Sequence, residues 1–198
     1  MARLRILDEA YPGLAGSAVP RGECELVVGA EHLQRVVREG MAGAKVSLDV
    51  MTADLKAMLV PGGPGGGEAP SVISLFRNLA RRGIEVRVMH SGVPSSAALD
   101  ELRGGLPPGL TIRRCPRLHA KAVVIDASRM YLGSANLTGA GLGAKAAHRR
   151  NFEMGIWTTS TALIDATLEQ FNALWEGHQC AGCGRRDVCP VPLEEPEL

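Results

Sequence analysis

Residues 117–126 read RLHAKAVVID, and after ASRM the chain continues YLGSANLTG at 131–139. A histidine and a lysine two positions apart introduce an apolar run that closes on aspartate, and a Gly-Ser-x-Asn turn follows. Read as a strand over 119–126, alternation sets His119, Lys121, Val123 and Ile125 on one face and Ala120, Ala122, Val124 and Asp126 on the other. At a rise of about 3.3 Å per residue, the imidazole and the ammonium then stand roughly 7 Å apart on one side, a span that a tetrahedral phosphate bridges. In the turn, Gly133 permits close backbone approach, Ser134 offers a hydroxyl and Asn136 an amide donor. Such donors stabilise charge on the non-bridging oxygens of a phosphoryl transition state. Each feature alone is ordinary, since His-x-Lys is mostly a surface pair and Gly-Ser-x-Asn a common turn; it is the combination that points to phosphate chemistry.

Working outward, ECELVVG at 23–29 reads as a short strand feeding an amphipathic helix with Leu33, Val36, Val37 and Met41 at helical spacing. AKVSLDVM at 44–51 alternates as a strand. PGGPGGGEAP at 61–70 is too rich in Gly and Pro for either element and reads as a loop. A helix over 71–82, capped by Ser71 and stopped at Gly83, runs into a strand IEVRVMH, the usual join of an α/β unit. SSAALDELR within 91–109 is a short helix, 110–115 and 119–126 are strands, and 129–134 is a third strand turned at Ala127-Ser128. FEMGIWT at 152–158 is the last strand. A helix over 160–176, with Leu163, Ile164, Leu168, Phe171, Leu174 and Trp175 on one side, closes the domain. The expectation is an α/β fold, a mixed sheet flanked by helices on both faces, over 23–177, with an N-terminal extension at 1–22 and a cysteine-rich tail at 178–198.

The 198 residues fit one domain with a sizeable core, and a net charge of +1 argues against a wholesale basic nucleic-acid binder while leaving room for local clusters. Such clusters are Arg81-Arg82, Arg113-Arg114 with Arg117, and His148-Arg149-Arg150. Neither a signal core nor an 18-residue apolar run is evident, so the expected location is the cytoplasm without stable membrane association.

His-x-Lys, four residues, Asp, six residues, Gly-Ser-x-Asn resembles the HKD signature of the phospholipase D superfamily, carried by His119, Lys121, Asp126, Gly133, Ser134 and Asn136. LFRNLARRGIEVRVMHSG before it and NFEMGIW after it are similar to flanking units of that superfamily, so the resemblance covers roughly 24–176. It implies the phospholipase D/nuclease-like fold and a metal-independent phosphodiesterase needing no catalytic cofactor. His119 would be the nucleophile that forms a phosphohistidine, or its partner acid. Lys121 and Asn136 would bind phosphate with support from Ser134, and Glu153 would hydrogen-bond the catalytic imidazole. Asp126, on the opposite strand face, would buttress structure. The chemistry needs two histidines, one to attack and one to protonate the leaving oxygen. None of His32, His90, His148 and His178 has a lysine two residues on. Single-motif members complete the site by pairing identical chains, which implies a homodimer with one composite centre.

Short single-motif chains of this kind resemble endonucleases, and the arginine clusters are consistent with a nucleic-acid backbone. The competing readings are a phospholipase or phosphatidyl transferase, and a non-cutting nucleic-acid-binding subunit in a larger complex such as a bacterial phage-defence system.

The tail GHQCAGCGRRDVCPVP places Cys180, Cys183 and Cys189 in a C-x2-C-x5-C arrangement. Its tight Cys-x-x-Cys suits a tetrahedral metal, with structural Zn2+ ahead of an iron–sulfur cluster or metal-free thiols. A fourth ligand is needed: His178 is close in sequence, while Cys115 or Cys24 would reach it through the fold. Cys115, four residues before His119, would tether the tail beside the active strand.

Overall fold

The computed structural model describes residues 24–60 and 69–189. The expected N-terminal extension and residues 61–68 of the glycine-rich loop lie outside the described residues. Seven strands form one mixed sheet: β1 Cys24–Val28, β2 Ser47–Thr52, β3 Glu85–His90, β4 Leu110–Arg114, β5 Ala122–Ile125, β6 Arg129–Gly133 and β7 Met154–Thr158. Their spatial order is β1-β7-β6-β5-β2-β3-β4. The β2–β3 and β3–β4 pairs are parallel and the others antiparallel.

Four helices cover the sheet: α1 Leu33–Gly40, wound as a π-helix, α2 Val72–Arg81, α3 Ser96–Leu102 and α4 Thr161–Trp175. Ser71 caps α2 by accepting the Ser74 N–H at 3.0 Å, the role its position in the sequence suggested. Alternation divides the strands cleanly. Leu48, Val50, Val86, Val88, Ile112, Val123 and Ile125 face α1–α3, whose Val36, Val37, Phe76 and Leu79 complete the main core. The other face carries Met51, Met89, Ala122, Val124 and Met130, covered by Ile164, Phe171 and Trp175 of α4. The expected helices on both faces are present.

Among the described residues, nothing beyond α4 covers that second face at the β1 end. Register sets Leu26 beside Ile156 and Ile156 beside Leu132, with Val28 beside Met154. Leu26, Val28, Leu132 and Met154 are exposed, and Phe152 just before β7 is fully exposed.

Two expectations change. The strand begins at Ala122, not at His119. Upstream of Ala122 the β2–β5 pairing ends at Met51, Thr52 pairing only with His90 on the β3 side, and the Lys121 carbonyl, accepting the Gly133 N–H at 3.1 Å, extends the ladder toward β6. His119 therefore sits on a loop, free of strand alternation. The second change concerns the arginines before it. Arg113 lies 4.6 Å from the Trp175 ring centroid and donates to its carbonyl at 2.8 Å, and Arg114 donates to the Ser91 carbonyl at 3.2 Å. These two guanidinium groups hold α4 and the β3 end in place, while Arg117 stays exposed.

Candidate active site

The turn from β5 to β6 passes through Asp126 and Ala127 at φ +53° and +47°, the mirror-image geometry that suits a hairpin's twist. Asp126 holds this turn. Its carboxylate accepts the N–H groups of Val46 at 2.7 Å, Lys45 at 2.9 Å and Ser47 at 3.1 Å, and pairs with Arg129 at 3.4 Å. Burial pushes this carboxyl up, but the three backbone donors and Arg129 together outweigh it and hold it below the ordinary aspartate value. The motif aspartate thus fixes the far end of β5, and His119 and Lys121 lie at the near end.

At the near end Lys121 is buried and curls back on its own loop. Its ammonium donates to the His119 carbonyl at 2.7 Å and lies 3.1 Å from Nδ1 and 3.3 Å from Nε2 of the exposed imidazole. The two groups are in contact, closer than the strand spacing suggested. An ammonium has only protons to give, so this contact suits a ring that offers a lone pair, as a nucleophile must.

Because β5 lies between β6 and β2, the turn after β6 and the end of β2 both border Lys121. Asn136 is oriented from the β2 side. Its Oδ1 accepts the Ala53 and Asp54 N–H groups at 3.0 and 3.1 Å and the Thr52 hydroxyl lies at 3.3 Å, which leaves the amide nitrogen as the donor end. Thr52 Oγ1 also accepts the Leu137 N–H at 2.9 Å, so one hydroxyl ties both the Asn136 side chain and the residue after it to β2. Thr52 ends an unremarkable apolar strand, and only the β2–β5 neighbourhood reveals its role.

Ser134 donates to the Glu153 carboxylate and accepts the Met154 N–H at 3.1 Å. Glu153 also takes the Asn151 side-chain amide at 3.0 Å. Within one chain, then, Glu153 bonds to the serine of the turn and to Asn151, and not to the chain's own His119.

Gly133 serves packing more than phosphate approach. A methyl there would come within 2.6 Å of Gly155 Cα on β7 and into the Tyr131 ring, so the paired glycines make room for that tyrosine. Its hydroxyl accepts the Ala135 N–H at 3.2 Å, inside the motif turn, and meets His32 Nε2 at 2.9 Å; His32 Nδ1 in turn meets the Gly29 carbonyl at 2.9 Å. The Gly29 carbonyl can only accept, so Nδ1 carries the proton that faces it, and in that tautomer Nε2 accepts the phenol proton. Burial pushes the Tyr131 phenol up to about 12, against the pull of the Ala135 N–H. His32 and Tyr131 were legible only as a helix histidine and a strand aromatic, yet they support the phosphate turn from behind.

Beside this cluster opens a cavity of about 590 Å³ whose wall includes His119 and Ala120 together with Met51, Leu118, Leu163 and Leu174. Its aliphatic side chains share the wall with Thr167, Gln170 and the guanidinium groups of Arg117, Arg185 and Arg186, and the tail borders it through Cys180, Cys183 and Cys189 together with Cys115. The Arg185 N–H, foremost, and then the Arg117 guanidinium hydrogen-bond the Cys183 sulfur and hold its thiol below the ordinary value. Among the described residues no three His, Cys, Asp or Glu side chains are gathered closely enough to hold a metal ion. His148, Arg149 and Arg150 lie on an exposed single turn, Ala147–Arg149, and its end. Among the described residues no helix is long and apolar enough to cross a membrane.

The family model described as "Cardiolipin synthase, PLD-like domain" matches residues 38–175. Two solved structures share the fold. NucT from Helicobacter pylori is 16% identical, with 78% of this chain and 96% of that chain covered at a TM-score of 0.58. Nuc from Salmonella typhimurium, titled a phospholipase D family member, is 21% identical, with 78% and 95% covered at a TM-score of 0.55. Among curated protein sequences none matches.

Proposed function

The chain belongs to the phospholipase D-like domain family, and from that premise we propose that it is a metal-independent nuclease that cleaves DNA or RNA through a phosphohistidine at His119. The observation that carries this reading is the Lys121 ammonium packed against the His119 imidazole, with Asn136 held donor-end outward by the end of β2 on one side of it. Lys121 and Asn136 supply fixed positive charge and a fixed donor for the phosphoryl oxygens, the positioning and charge stabilisation that phosphoryl transfer needs.

In the first step a His119 nitrogen bonds to phosphorus as the ester P–O bond breaks, and a second imidazolium gives its proton to the leaving oxygen. In the second, that same imidazole takes a proton from water, whose oxygen displaces His119 from phosphorus and returns the P–N electron pair to the ring. One chain carries one such motif, so the second imidazole comes from a second copy, in a homodimer with one composite site. Two features support this. Glu153 bonds Ser134 and Asn151 but not its own chain's His119, and its carboxylate keeps further lone pairs with which to accept from the neighbour's imidazole. Exposed apolar residues, Leu132, Phe152 and Met154, flank Ser134 and Glu153 and suit burial against another subunit.

A second reading, a phospholipase or phosphatidyl transferase, is favoured by one observation: Met51, Leu118, Leu163 and Leu174 line the cavity beside His119 with an apolar wall that an acyl chain would occupy. The two separate in one experiment. DNA, RNA and phosphatidylcholine vesicles are incubated in EDTA with wild type and His119→Ala. Cleavage of a nucleic acid by wild type alone is the expected result; release of choline or phosphatidate with intact nucleic acid gives the second reading.

A further inference from the structure

Cys115, Cys180, Cys183 and Cys189 come from two distant parts of the chain and line one cavity. We infer that these four thiols bind a single zinc ion that clasps the C-terminal segment to the loop leading into His119. This assignment is independent of the nuclease reading.

The first argument is what holds the segment. From Gly177 to Cys189 the chain is made of turns, with neither helix nor strand, and Arg185 to Val188 are all exposed. Within that span only Cys189 is buried, so the segment contributes almost no aliphatic side chain to the core. A turn-built segment without a core of its own is the kind that a structural metal stabilises, since binding free energy becomes folding free energy.

The second is the shape of the Cys-x-x-Cys turn. The Cys183 N–H donates to the Cys180 carbonyl at 3.1 Å and closes the turn, while the Arg185 N–H reaches the Cys183 sulfur. Backbone donors aimed at a sulfur compensate thiolate charge, as the outer shell of a metal–thiolate site requires. Arg117 shares the cavity wall with the four thiols, and its guanidinium hydrogen-bonds Cys183. Arg185 and Arg186 border the same cavity. A Zn2+ ion with four thiolates carries net negative charge, and these guanidinium groups balance it.

The third is the choice of fourth ligand. His178 pairs with Glu176 at 3.1 Å and is not part of the cavity wall, and Cys24 donates to Thr158 at 3.2 Å on the outer strand pair. Cys115 shares the wall with the tail thiols. The thiols are not at ligand distance in this structure, and an ion about 2.3 Å from each sulfur must draw the turns inward. Gly182 and Gly184, with open space around them, leave room for that movement. Once closed, the clasp fixes Arg185 and Arg186 beside His119.

The test is metal analysis of the full-length protein, with zinc and iron measured together after anaerobic purification and dialysis against a weak chelator. The expected result is one zinc per chain in wild type and in Cys24→Ser, with loss in Cys115→Ser and in Cys183→Ser. Because either of the last two variants could fail to fold, wild type stripped of metal is also titrated with Co2+. Saturation at one equivalent, with thiolate-to-cobalt charge-transfer absorption and tetrahedral d–d bands, is the expected signature. Wild type without stoichiometric zinc, zinc retained by folded Cys115→Ser, or cobalt bound without thiolate bands would each overturn the assignment.

Discussion

The Lys121 ammonium lies 3.1 Å from His119 Nδ1 and 2.7 Å from the carbonyl of the same residue, so the cation proposed to receive phosphate also fixes the loop that carries the proposed nucleophile. Lys121→Met keeps the aliphatic stem in its buried slot and removes the charge together with its hydrogen bond to the His119 carbonyl. The account expects a fall in kcat of about 10²–10³, the usual cost of one transition-state donor, with a thermal midpoint close to wild type. Steady-state kinetics beside a melting curve check it; unchanged kcat would remove Lys121 from the site.

Tyr131→Phe deletes the hydroxyl that joins His32 to the Ala135 N–H. Two buried groups lose their partner, so urea unfolding should show destabilisation of about 1–3 kcal/mol. Activity should fall as well, because Ala135 lies between Ser134 and Asn136. A variant with wild-type stability would show that the bridge contributes nothing.

Asp126→Asn tests the far end of the motif. The folded carboxyl titrates below the ordinary 3.8, so the folded chain binds fewer protons than the unfolded one in that range. Its stabilisation is therefore complete above the ordinary value and is lost as pH falls through the lower folded value. Urea midpoints of wild type and variant should differ at about pH 6 and converge toward about pH 3, while kcat per folded molecule stays near wild type. A gap that persists at low pH would contradict the assignment. Asp49 titrates in the opposite direction, raised by burial against the pull of Arg87, and is unchanged in both proteins.

The composite site makes a prediction about mixtures. If both imidazoles are needed, wild type co-refolded with an equal amount of His119→Ala should retain about a quarter of the wild-type activity, since only paired wild-type chains are complete. About half would indicate independent subunits. Met154→Asp, placed on the exposed face beside Glu153, should yield folded monomers without activity, as light scattering and turnover would record.

Much of the fold was legible because strand and helix periods are written in single segments: the β3 alternation, the Ser71 cap and the apolar side of α4 are local facts. The strand reading of 119–121 failed because a strand needs neighbours, and the pairing of β2 with β5 stops at Met51. The contact of His119 with Lys121, the Thr52 brace on Asn136 and the Tyr131–His32 support depend on which strands lie side by side, which no spacing encodes. Arg113 and Arg114 looked like a basic surface because a guanidinium stacked on Trp175 and one bonded to a carbonyl have the same sequence signature as solvated ones. Asp126 stands apart from the histidine because the two lie beyond opposite ends of β5, not because of alternation, and its partners at 45–47 emerged only from the β2–β5 pairing.

The central claim is a covalent intermediate on His119. Wild type turning over an end-labelled oligonucleotide in EDTA is quenched in alkaline denaturant, which preserves phosphohistidine, and its peptides are mapped by mass spectrometry. The account predicts a nucleotidyl or phosphoryl adduct on the peptide bearing His119, absent from His119→Ala. Cleavage that proceeds with no adduct on any histidine, or at an undiminished rate in His119→Ala, would contradict it.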